Sequence, residues 1–237
     1  MSSDPKISST ARSLEPTAPW WHTAFVLLVL GAGSVTSAYE HGFPNLHLPG
    51  MSLRLSGYAT VLLEEWLLVL SIWLWLKSRG SRITVLTGGR WHDLRAFWKD
   101  VGWGLGFLLV GIPLTSALSL LTRTKLDAAL FLPHSATELL VWLLLAATAG
   151  FAEELIFRGY LQRQFAGWTN SPAAGIALQG LVFGLAHGYQ GMTMIVIVIY
   201  GCLFGTFVAW RKSLLPAMLA HGLQDAAGGL LFFLSTK

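Results

Sequence analysis

Of the 237 residues, 54% are hydrophobic and only 12% charged, with 11 Trp and a mean hydropathy of +0.57; this composition belongs to a polytopic membrane protein and excludes a soluble domain. A lone cysteine, Cys202, excludes a disulfide framework within one chain, and there is no Gly-rich phosphate loop, Cys/His zinc cluster or His-Glu-x-x-His motif. The isoelectric point near 9.4 comes from Lys and Arg set between apolar runs, so topology accounts for the basic charge and no nucleic acid is expected as a partner.

Residues 1–19, polar and carrying Pro5, Pro16 and Pro19, are expected to form a disordered cytoplasmic tail. The first apolar run, Trp20 to Ala38, reads as an uncleaved anchor, and 39–56 as a loop. The second span, about Gly57 to Leu76, contains Glu64 and Glu65 with no His on the same helix; a polar contact inside the bundle is expected. From Lys77 to Lys99, six Lys/Arg alternate with Trp91 and Trp98, the pattern of a short amphipathic segment on anionic lipid. The third span runs from Val101 to Leu121, with Pro113 as a kink. The fourth starts near Ser135 and continues helical to about Ala166. The fifth follows Asn170-Ser171-Pro172, a helix-start signal, and reaches at least His187. The sixth is Met192 to Trp210 and the seventh Leu214 to Leu234. Runs of about 20 residues match a hydrocarbon core about 30 Å thick. The expected fold is all-α, a polytopic membrane helical bundle of about seven transmembrane helices. Three N-terminal helices with their loops fill 20–134, and 135–237 forms a second core.

With Arg158 set aside as part of a helix, eleven Lys/Arg fall on the side of the tail, the 77–99 loop, Arg163, Arg211 and Lys212. Four (Arg54, Arg123, Lys125 and Lys237) fall on the other. The positive-inside rule then places the N-terminus in the cytoplasm and the C-terminus outside, in a cell membrane read as a bacterial inner membrane.

Three polar motifs interrupt the apolar helices. The fourth span carries Glu153-Glu154-Leu155-Ile156-Phe157-Arg158, in which Glu154 and Arg158 stand at i and i+4 and can neutralise each other. Glu153 points about 100° away and lacks that partner. The fifth has Phe183 and His187 on one face, beside a row of Gly180, Gly184 and Gly188 that admits a neighbouring helix. The seventh has His221 and Asp225, again one turn apart. At about 1.5 Å per residue, Glu153 and His187 lie roughly 20 and 22 Å from the inner helix ends, and His221 and Asp225 roughly 10 and 16 Å. Ionisable groups delivered to one depth by three helices mark an intramembrane site.

These motifs resemble those of the CPBP family, the CAAX prenyl protease and bacteriocin-processing enzymes, also called type II CAAX or Abi intramembrane proteases. The resemblance covers about residues 135–234. It implies a helical membrane fold with a cavity open toward the cytoplasm and the membrane, and a peptide or membrane-protein substrate. By position, it implies that Glu153 is the catalytic glutamate, helped by Glu154 and Arg158. His187 would help to activate water, and His221 with residue 225 would steady the oxyanion. Eukaryotic members have Asn at that last position; Asp225, when ionised, only accepts hydrogen bonds, so it is assigned to hold His221.

The expected mechanism has Glu153 and His187 polarise a water for attack on a peptide carbonyl while His221 stabilises the developing charge. In a second version, suggested by the family's metalloprotease label, Glu153, His187 and His221 are zinc ligands; no metal is certain. The alternative functions are a non-catalytic membrane scaffold or immunity protein, and a proton-coupled transporter. No internal repeat of the transporter kind is present.

Overall fold

The computed structural model describes residues 14–40, 47–123 and 131–237, the side chains of 38–40 excepted. Among these the chain is all-helical: α1 Trp20–Glu40, α2 Leu53–Ser78, a single turn α3 Thr84–Thr87, α4 Leu94–Leu121, α5 Ala136–Glu153, a π-helical segment Glu154–Leu161, α6 Gln162–Thr169, α7 Pro172–Ala186, α8 Gly191–Arg211 and α9 Leu215–Ser235. Six helices are long and apolar enough to cross a membrane, one of them the continuous Ala136–Thr169, while Pro172–Ala186 is a shorter apolar helix. The α7 start follows the sequence signal: the Ser171 hydroxyl accepts from Ala174 N at 3.3 Å and Pro172 occupies the first turn.

Several boundaries differ from expectation for visible reasons. The 77–99 loop is not one amphipathic segment. It holds only the α3 turn, and α4 begins seven residues early because Asp93 caps it, accepting from Ala96 N at 2.7 Å. Residues 1–13 of the expected tail and 41–46 of the expected 39–56 loop lie outside the described residues, but 14–19 are held in place. Gln164 makes a two-way clasp with Ala18, Nε2 donating to its carbonyl at 2.6 Å and Oε1 accepting from its N–H at 2.9 Å. Trp75 Nε1 also donates to Thr17 O at 3.2 Å. Buried hydrogen-bonding groups on α6 and α2 thus compensate backbone that composition alone reads as free.

The centre of the bundle is α5 crossing α9. A Cβ placed on Gly150 would lie 2.7 Å from both Gly222 N and Met218 O, so the two backbones touch with no side chain between them. We expect Gly150→Val to force these helices apart and lower turnover about 100-fold, the scale of an ångström-level misplacement of catalytic groups. Gly106→Val, where a Cβ meets nothing within 4 Å, leaves turnover unchanged; comparing rates and thermal unfolding of the two variants checks this. The Gly180 and Gly184 row performs the same service for α7 and α8, with added Cβ atoms 3.1 Å from Val198 O and from Met194 O. Gly188 does not extend the row. It sits at φ 69° in the turn after α7, a conformation that favours glycine.

Candidate active site

The helix that carries both glutamates changes pitch at them. Gln162 N bonds to Phe157 O, five residues back, at the end of the π-helical stretch. Such wide turns cluster at functional sites because they re-aim side chains without ending a helix. Every residue from Glu154 to Leu161 is buried.

Arg158, 1% exposed, is the centre of the charged network. Its Nη1 donates to Glu154 Oε1 at 2.9 Å and its Nη2 to Gly201 O at 3.3 Å. The guanidinium lies over the Phe183 and Phe204 rings at 4.3 and 5.0 Å, contacts that suit a desolvated planar cation. The same Glu154 oxygen bonds His221 Nδ1 at 3.0 Å. Glu154 therefore joins the cation of its own helix to the imidazole of α9 and fixes the ring's orientation.

The other face of the His221 ring looks toward Glu153 and Asp225. Its Nε2 is 3.7 Å from Glu153 Oε2 and 3.5 Å from Asp225 Oδ2. Asp225 is further placed by Trp142, whose Nε1 donates to its backbone carbonyl at 2.8 Å. His187 stands on another wall, its Nδ1 against Phe183 O at 2.7 Å, which leaves Nε2 as the nitrogen available to a ligand. Five of the six expected site residues thus form one network, and His187 shares the cavity without joining it.

That cavity, of about 500 Å³, is lined by Glu153, His187, His221 and Asp225 together with Glu64 and Glu65. Most of its remaining wall is apolar, and a hydrogen bond between the Tyr200 hydroxyl and the Gln224 side chain lies in one side of it. Tyr189, in the loop beyond α7, has its phenol pushed up to about 12 by burial, so at the cavity it is a neutral hydrogen-bonding group.

Residues 135–227 match the family model described as type II CAAX prenyl endopeptidase Rce1-like. Over this stretch the chain is similar to the Rce1-like, CAAX-type endopeptidases. No curated protein and no solved structure matches the chain. The matched stretch opens at Ser135, the residue that caps α5 by accepting from Glu138 N at 3.2 Å, and closes two residues after Asp225. It contains every expected site residue, whereas α1 and α2 reach its cavity from outside the matched region.

The zinc reading meets a geometric obstacle. Among the described residues no three His, Cys, Asp or Glu side chains are grouped to hold a metal ion. His221 Nδ1 faces Glu154 and His187 Nδ1 faces Phe183 O, which leaves Nε2 as the free nitrogen of His187. No step is derived through a metal.

One participant was expected only as a polar contact inside the bundle. Glu65, 5% exposed, reaches the cavity wall from α2 with both carboxyl oxygens buried and without a hydrogen-bond partner among the described residues. Glu153 Oε2 is in the same state, and the two carboxyls are electrostatic neighbours. The acidic pair on the second span was visible in the sequence; the absence of a His on its helix hid that it faces a different helix's glutamate.

Proposed function

We propose that the Rce1-like domain hydrolyses a peptide bond with a water activated by Glu153 and His187, the oxyanion being steadied by His221. The observation that carries this reading is that one cavity receives all three side chains while Glu154 and Arg158, bonded to each other behind them, hold His221 in place. Glu153 supplies the base: it lines the cavity, whereas Glu154 is fully buried behind it and bonds Arg158 and His221 through Oε1. His187 Nε2 shares the handling of the water. His221 Nε2 donates to the developing oxyanion as part of an imidazolium, the form in which Nδ1 donates to Glu154 at the same time. Asp225, at 3.5 Å from that nitrogen, keeps the imidazole charged as the intermediate forms.

The substrate in this reading is a peptide or a membrane protein that meets the bilayer. A test uses detergent-purified protein and a cleaved substrate peptide. His187→Ala and His221→Ala are each expected to lower turnover about 100-fold, within the usual range for a positioned acid–base group, and chelator-washed wild type keeps its rate. Full turnover by both histidine variants would overturn the mechanism. A chelator-induced loss restored by zinc would replace it with metal-assisted hydrolysis.

A further inference from the structure

The cavity belongs to one end of the bundle, and the charge of the molecule says which end that is. Its walls come from the C-terminal half of α1 (Leu30 and Ser37), the middle of α2 (Val61 to Leu68) and the stretch of α5 from Trp142 to Glu153. They come also from the α7–α8 turn (His187, Tyr189) and from Phe131 and Leu132 just before α5. In an alternating bundle Ser37, Phe131, Leu132, His187 and Tyr189 lie toward the same face, and the cavity reaches from there to mid-depth at His221 to Gly228, the middle of α9.

The opposite face carries the basic residues. Lys77, Arg79, Arg82, Arg90, Arg95 and Lys99 surround α3 and the start of α4, with Arg163, Arg211 and Lys212 beside them. Exposed tryptophans collect there too: Trp20 at 72%, Trp98 at 65% and Trp210 at 63%, the belt expected at a headgroup layer. Among the described residues the cavity face has only Arg54, Arg123 and Lys237, and Arg54 is drawn to Glu138 at 3.6 Å.

From these two observations we propose that the active-site cavity opens to the non-cytoplasmic side of the membrane, and that the substrate is an apolar peptide segment presented there: an exported peptide or the outer end of a membrane anchor. The family resemblance implied a cytoplasmic opening; the Lys/Arg excess on the far face, nine to three among the described residues, assigns the reverse. Apolar selectivity follows from walls such as Leu30, Leu68, Trp142, Phe157 and Ile197, since burying matching side chains contributes about 25 cal/mol per Å². The substrate half of the proposal rests on the protease reading, and the orientation half does not.

The test places single cysteines in a Cys202→Ser background of the full chain. Ala136→Cys and Gln190→Cys sit at exposed positions on the cavity face, and Ser81→Cys at an exposed position on the basic face; none changes a charge. Intact cells are treated with a membrane-impermeant thiol reagent, before and after permeabilisation, with folding checked by size-exclusion elution. The expected result is labelling of Ala136→Cys and Gln190→Cys from outside and of Ser81→Cys only after permeabilisation. Labelling of Ser81→Cys in intact cells, or protection of both cavity-face positions, overturns the orientation. This readout needs no enzymatic activity, so it stands even if the protease reading fails. New protein termini that depend on Glu153 and lie in cytoplasmic segments would overturn the substrate class alone.

Discussion

Glu153→Gln is expected to lower hydrolysis by about 1,000-fold while leaving the fold intact. Glutamine keeps the shape of the side chain but cannot take a proton from water, and a positioned general base contributes roughly 100- to 10,000-fold. The fold should tolerate the change because Glu153 is not the structural anion. Its side chain is 18% exposed toward the cavity, its Oε2 stands 3.7 Å from His221 Nε2, and another neighbour is the Glu65 carboxyl. Neutralising it removes a charge from a wall that already holds Glu65 and Asp225. Thermal unfolding in detergent should therefore match wild type, and rate measurement on the same preparation separates loss of chemistry from loss of structure. Full hydrolysis by this variant would make the assigned base wrong.

Arg158→Met is expected to act in the opposite way, through stability. The guanidinium and Glu154 are both fully buried in side-chain terms and 2.9 Å apart, so removing the cation strands a carboxylate inside the bundle. Breaking one half of a buried pair costs about 3–5 kcal/mol, whereas replacing both halves by neutral groups of similar volume is often tolerated. The double variant Glu154→Gln/Arg158→Met should therefore recover much of the thermal stability lost by the single one. It should not recover turnover, because the bond that fixes His221 Nδ1 involves the lost carboxylate oxygen. Arg158→Lys should fail as well: an ammonium cannot reach Glu154 and Gly201 O together while lying flat on Phe183. Equal unfolding temperatures for the single and double variants would contradict this account of the pair.

Much of this was legible in the sequence because a bilayer is a demanding solvent. Ionisable residues are rare enough in apolar helices that Glu153, Glu154, Arg158, His187, His221 and Asp225 stood out singly, and helical spacing paired Glu154 with Arg158 correctly. The caps at Ser135 and Ser171 fixed helix starts to within a residue. What stayed hidden depends on contacts between helices. The π-helical turn at Glu154–Leu161 has the same composition as α-helix. The Gly150–Gly222 contact is one small-residue pair among 25 glycines, and only the crossing of α5 and α9 singles it out. Glu65 was assigned a generic bundle contact because its partner, Glu153, comes from a helix nearly ninety positions away. Depth counted from helix ends could place residues in a common zone, but it could not say that Glu154, not Asp225, makes the 3.0 Å bond to the His221 ring.

The most direct measurement of the central claim compares new protein termini across the membrane fraction of cells expressing wild type and Glu153→Gln at equal abundance. A set of termini present with wild type and absent with the variant is the predicted result; it would establish a Glu153-dependent protease and identify substrate and cut site together. Identical termini, with the variant folded and abundant, would contradict it and leave the domain as a membrane scaffold whose buried carboxylates serve packing alone.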